Sequence, residues 1–176
     1  LIGQTQMWLR HAGEVEGNGR SSDDLAMLRD AWDFRNALIC EQPNGDFGQT
    51  MMRQYLFDQY HVLMLDGLQH ASDEHVAAIA AKALKEVKYH VERSAETVIG
   101  LGDGTEESHA RMQKALDLLY PYAGELFDSD ETDLAMLNAG IAPDLTEMRL
   151  SYDAALSDVM REATLTLPES RFAHSG

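Results

Sequence analysis

Three acid–histidine pairings stand out where a metal or a proton could be handled. Asp58-Gln59-Tyr60-His61 is an Asp-x-x-His inside an otherwise apolar run. Glu86 and His90 stand four residues apart in a helical stretch, and Glu106-Glu107-Ser108-His109 matches Glu-x-x-His. A di-iron carboxylate bundle takes a Glu from each of two helices and a Glu-x-x-His from each of two others, because the three-residue spacing lets both side chains converge on one metal. Here the constellation is incomplete. The residue three before His90 is Val87, so that pairing has the wrong spacing. Glu106 and His109 open a helix in polar surroundings, where Glu suits the helix dipole. Asp130 falls on a helical stripe between Leu126 and Leu134 and is a further candidate acid.

Each pairing has a structural reading beside the chemical one. An unpaired buried charge is costly, which favours Asp58 and His61 as a buried ion pair or hydrogen-bonded pair over metal ligands. Glu86 and His90 read as an i, i+4 pair, with Lys82 or Arg93 at hand. Asp130 can be solvated at a helix end. Nucleophilic catalysis has no candidate: Cys40 has no basic sequence neighbour and is expected to pack as a small hydrophobe. Gly100-Leu101-Gly102-Asp103-Gly104 follows a helix and lacks the dinucleotide and phosphate-loop fingerprints. The acidic run from Asp128 to Asp133 lacks Ca²⁺-loop spacing and reads as a solvated or partner-facing surface.

The elements that would position these residues are helical. Pro occurs four times in 176 residues, and strand-type alternation is absent. Turn signals at 13–22, 42–46, 100–105 and 140–143 divide the chain into segments 1–13, 23–40, 47–71, 73–100, 105–139 and 143–165, with Ser22 and Thr105 as N-caps. Two segments approach 30 residues, roughly 40 Å of helix, and long helices with short joins form antiparallel bundles. In 47–71, Phe47, Met51, Val62 and Leu65 surround Asp58, and other apolar residues occupy most of the remaining circumference. Such a helix belongs at a bundle's centre or against a partner. The stripe of 73–100 runs Val76, Ala80, Ala83, Val87, Val91, Val98, with Lys85, Lys88 and Glu92 on the wet face. That of 105–139 runs from Met112 through Leu116, Leu119, Ala123 and Leu126 to Leu134 and Leu137, and Pro121 should kink it. One bundle domain over 1–168 and a frayed tail over 169–176 follow. The opening Leu1-Ile2-Gly3-Gln4 suggests a chain cut from a longer protein.

Composition excludes other classes. Fourteen Lys and Arg against 30 Asp and Glu leave a formal charge of −16, which disfavours nucleic acid and anionic membranes as partners. At 44% hydrophobic the chain should fold. A single Cys rules out an intramolecular disulfide and cysteine-rich metal sites, with a reducing, cytoplasmic location as the default. No apolar run reaches the roughly 18 residues of a spanning helix.

Several uncommon strings also recur in order. They are Glu41-Gln42-Pro43-Asn44-Gly45-Asp46-Phe47, Arg53-Gln54-Tyr55 with Asp58, Lys82-Ala83-Leu84-Lys85-Glu86-Val87-Lys88-Tyr89-His90, Leu101-Gly102-Asp103-Gly104-Thr105 and Glu125-Leu126-Phe127-Asp128. In these the chain resembles the C-subunit family of phenylacetyl-CoA epoxidases, from Leu1 almost to its end. The family's N-terminal helix, the start of the next and a C-terminal segment are missing. The resemblance implies an all-α, ferritin-like antiparallel helical bundle that has lost its di-iron ligands. It implies a non-catalytic, structural subunit with no cofactor of its own and no directly bound substrate. Its partners would be the di-iron catalytic A subunit and the other subunits of a multicomponent monooxygenase that epoxidises the aromatic ring of phenylacetyl-CoA. The positions matching the family's polar network, in the place of the metals, are Asp58, His61, Lys85, Glu86 and His90, with Asp130 a weaker addition. The rival expectation is a genuine di-iron oxygenase or metal-binding ferritin-like protein that uses Asp58, His61, Glu86 and His90.

Overall fold

A computed structural model describes residues 1–169 and residue 172. The tail assigned to 169–176 therefore lies, apart from Glu169 and Phe172, outside the described residues. Eight α-helices and two 3-10 segments make up the regular structure among them, with no strand. The helices are α1 (Ile2–Glu16), α2 (Ser22–Met27), α3 (Leu38–Glu41), α4 (Phe47–Leu68), α5 (Glu74–Gly102), α6 (Glu106–Leu119), α7 (Glu131–Asn138) and α8 (Leu145–Glu162). None is long and apolar enough to cross a membrane.

The long helices begin where a side chain satisfies the first free amides. The Asp46 carboxylate accepts from Gln49 N, Asp73 accepts from His75 N and Val76 N, and Thr105 forms a reciprocal box with Ser108. At α2 the cap is Ser21, one residue before the expected Ser22, in a box with Asp24. Gly140 takes a left-handed φ of 69° in the turn after α7, a conformation that favours glycine.

Two expected helices break. The stretch 23–40 is not continuous: α2 ends at Met27, a 3-10 turn spans Ala31–Asp33, and α3 is a single turn. The Asp30 carboxylate accepts from Trp32 N, and Asp33 Oδ2 accepts from Asp30 N. Such local bonds compete with the helical ladder. The stretch 105–139 stops at Leu119. Pro121 has no N–H to give, so Tyr120–Phe127 tightens to 3-10 geometry and α7 starts afresh at Glu131, behind the cap Asp130. Leu134, expected in the core, is exposed.

The chain reverses between α4 and α5 within residues 69–73, and this antiparallel pair is the spine of the bundle. α4 is central, touching α3, α5, α6, α8 and the 120–127 segment. The main core joins Met52, Tyr55 and Leu56 of α4 to Val98, Leu116, Leu119, Tyr152, Leu156 and Met160. Tyr152 Oη donates to the Leu56 carbonyl (3.2 Å) and Tyr55 Oη to that of Ala155 (3.5 Å), so α4 and α8 are tied in both directions. A smaller cluster of Leu65, Ala80, Ala83, Leu84 and Val87 packs with Trp8 of α1. α1 is held to α5 by Gln4 on Glu86 and by His11 stacked on His75, ring centroids 5.5 Å apart. The α5 stripe turns inward as its periodicity requires, and Lys85, Lys88 and Glu92 face water. On α4 the buried set is Gly48, Met52, Tyr55, Leu56, Asp58 and Leu65, whereas Phe47 is exposed.

Candidate functional site

Between the two apolar clusters lies a polar seam on the facing sides of α4 and α5. Asp58 is its centre and is 2% exposed. Its Oδ1 accepts from Gln54 Nε2 (2.6 Å), one helical turn back, and its Oδ2 accepts from Ser94 Oγ of α5 (2.9 Å). Ser94 is itself buried and also bonds the Val91 carbonyl (3.3 Å). Burial pushes the Asp58 carboxyl above its ordinary pKa, while the bonds from Ser94 and Gln54 and the nearby His90 pull it partly back.

His61, one turn after Asp58, is half-buried with its ring against Phe57 (5.6 Å). Burial, seconded by His90, lowers its pKa, so the neutral imidazole is favoured. His90 Nε2 lies 3.9 Å from Glu86 Oε1. Glu86 is exposed and accepts from the Leu1 amino group (2.9 Å) and from Gln4 Nε2 (2.6 Å). Four of the expected residues, Asp58, His61, Glu86 and His90, are thus brought into one neighbourhood around His90.

The other two stand apart. Lys85 is exposed and makes no ion pair among the described residues. Asp130 is exposed, not on a buried stripe: it caps α7, accepting from Thr132 N (2.7 Å) and Asp133 N (2.9 Å). The first free amides of α7 need a cap, and that need outweighs helical periodicity carried across Pro121. Cys40 is exposed as well, because α3 is too short to bury both residues and Ile39 takes the core position. His109 Nδ1 bonds the Gly102 carbonyl (2.8 Å) and joins α6 to the end of α5.

This donor set does not fit a dimetal centre. Val87, where a ligand acid would stand relative to His90, is wholly buried among apolar neighbours. Asp58, the one buried carboxylate among the described residues, is engaged by two hydrogen bonds. Among the described residues no three His, Cys, Asp or Glu side chains are grouped to hold a metal ion. The seam suits a cross-link between two helices. The two partners of Asp58 do not announce themselves in the sequence, although Ser94 leaves a signal: it is a polar residue on the apolar stripe Val87, Val91, Val98.

A family profile described as phenylacetic acid catabolic protein matches residues 1–176. The chain belongs to this family. The fold is accordingly the family's ferritin-like helical bundle. A relative from Escherichia coli (strain K12), the C subunit of 1,2-phenylacetyl-CoA epoxidase, is 40% identical over 176 residues, which is 100% of this chain and 71% of that protein.

Proposed function

We propose that this chain is a non-catalytic, structural subunit of a multicomponent phenylacetyl-CoA ring epoxidase in aerobic phenylacetate degradation. It binds and stabilises the di-iron catalytic A subunit through helix faces and carries no metal of its own. The observation that carries this reading is the state of Asp58: the carboxylate at bundle depth is occupied by Gln54 and Ser94, and the position three before His90, where a metal ligand would be needed, is a buried Val87. Family membership and the 40% identical epoxidase relative supply the setting.

On this reading the seam has a mechanical task. A buried hydrogen-bonded carboxylate holds α4 and α5 in one register, and rigid helices give the partner a pre-formed surface, which lowers the ordering cost of assembly. Deleting the subunit would impair turnover by destabilising its partner.

The experiment is co-expression with the catalytic subunit, followed by sizing and iron analysis of the complex and of this chain alone. The expected result is one complex whose iron stays with the catalytic subunit when the two are separated. A stoichiometric pair of irons in this chain would overturn the proposal and favour a di-iron oxygenase or metal-binding protein.

A further inference from the structure

Along α1, Met7, Arg10, His11 and Glu14 recur at the i, i+3, i+4, i+7 spacing that puts them on one helix face. On α5, His75, Ala78, Ile79 and Lys82 repeat that spacing. The two faces meet, and together they line a single groove of about 390 Å³. A second cavity along the same pair of helices shares Met7, Arg10 and Lys82 with the first. The two cations therefore stand where the two spaces join.

Charge in this groove runs against the rest of the chain. Thirty acids face 14 Lys and Arg overall, yet Arg10 and Lys82 make no ion pair among the described residues. Two carboxylates line these spaces. Glu86 already accepts from Gln4 Nε2 (2.6 Å) and the Leu1 amino group (2.9 Å), and Glu14 turns toward His11, Oε2 to Nδ1 4.0 Å. An anion between an arginine fork and a lysine ammonium makes charge-assisted hydrogen bonds, roughly twice as strong as neutral ones.

The histidines add a second observation. His75 stacks on His11, and its ring nitrogens make no hydrogen bond among the described residues. His11 Nδ1 is buried without a hydrogen-bond partner. Buried polar atoms are nearly always paired, so an orphan in the wall of a groove marks a place that receives a polar group.

We propose that the α1–α5 groove binds a phosphate ester. Arg10 and Lys82 hold the phosphoryl oxygens, His75 adds a hydrogen bond, and the organic part lies on Met7, Ala78 and Ile79. A phosphate monoester presents three acceptor oxygens and up to two charges, enough for two cations and an imidazole at once. A carboxylate has only two oxygens to share among them. This inference is independent of the structural-subunit reading, which concerns iron and the catalytic subunit.

Calorimetric titration of the full chain with coenzyme A, AMP, inorganic phosphate and pantetheine, which lacks the phosphates, tests the proposal. Coenzyme A and AMP should bind and pantetheine should not. Binding of AMP without coenzyme A would keep the phosphate-ester site and identify a nucleotide as its source. Arg10→Gln with Lys82→Gln should weaken ester binding about 30-fold or more at an unchanged melting temperature, because both side chains are exposed and unpaired. Lys88→Gln, the same loss of charge on the wet face of α5, should bind as the wild type does. In the wild type, the His75 imidazole NMR signal, assigned by its loss in His75→Gln, should shift on adding the ester. An adventitious ion only, with inorganic phosphate bound as tightly as either ester, would overturn the proposal. So would pantetheine bound as tightly as coenzyme A, no ester bound at all, affinity indifferent to the double variant, or a His75 signal that stays still. None of these outcomes alters where iron partitions, so the structural-subunit reading stands or falls separately.

Discussion

Ser94 Oγ donates to Asp58 Oδ2 at 2.9 Å across the α4–α5 interface, and both side chains are almost completely buried. Gln54, one turn back on α4, donates to the other oxygen of the same carboxylate.

This arrangement separates two substitutions at one position. In Asp58→Asn the amide oxygen still accepts from Gln54, its nitrogen donates to Ser94 Oγ, and the Ser94 hydroxyl keeps the Val91 carbonyl. Stability at neutral pH should hold or rise, since a buried charge is gone. Asp58→Ala takes the acceptor from the Gln54 amide, leaves Ser94 only the Val91 carbonyl, and should cost about 1–3 kcal/mol. Chemical denaturation of the two variants checks the contrast; equal losses would argue against it.

The same seam sets the pH dependence. The folded state holds the Asp58 proton to higher pH than the unfolded chain does. Its contribution is therefore full below the unfolded pKa and falls as pH rises through the folded one. His61 runs the other way. Burial depresses its pKa, so the unfolded chain takes up its proton first on acidification, and stability falls as pH drops below about 6.5. In melting curves, His61→Gln should flatten the loss of stability below about pH 6.5, whereas Asp58→Asn should remove the opposing gain that builds as the pH falls toward the unfolded carboxyl pKa of about 3.9. Unchanged slopes in both variants would contradict these assignments.

Gly102 closes the α5–α8 crossing. A Cβ there would meet the Ala163 carbonyl oxygen at 2.4 Å and the Ala163 Cβ at 2.9 Å. Main chain cannot swing aside as a side chain can, so Gly102→Ala should destabilise by about 1–3 kcal/mol despite alanine's better helix propensity. A variant as stable as the wild type would show that the two helices separate freely.

Tyr152→Phe keeps the packing but removes the 3.2 Å bond to the Leu56 carbonyl. It should cost about 0.5–1.5 kcal/mol. Combined with Tyr55→Phe, whose bond runs from α4 back to α8, the losses should couple in a double-mutant cycle. Strict additivity would mean the two hydroxyls do not act on one interface.

How far the sequence reaches can be judged residue by residue. α4 and α5 are legible because turn residues bracket long apolar periodicity, and the Val87 mismatch is visible without any coordinates. The partners of Asp58 are harder to see: Gln54 resembles any surface glutamine, and Ser94 becomes meaningful only when α5 is laid against α4. The errors share a cause. In 23–40, Asp30 and Asp33 trade helical bonds for local ones, and beyond Pro121 the helical phase restarts, which moves Asp130 and Leu134 from an expected interior to the surface. Periodicity extrapolates through a break; hydrogen bonding does not. Cys40 went outward because one turn of helix could bury only Ile39.

Iron partition in the co-expressed complex tests the central claim most directly. Anaerobic Fe(II) loading, separation of the subunits and metal analysis should leave the iron with the catalytic subunit and less than stoichiometric metal on this chain, with Asp58→Asn changing neither value. Two irons per copy of this chain, lost in Asp58→Asn, would contradict the account.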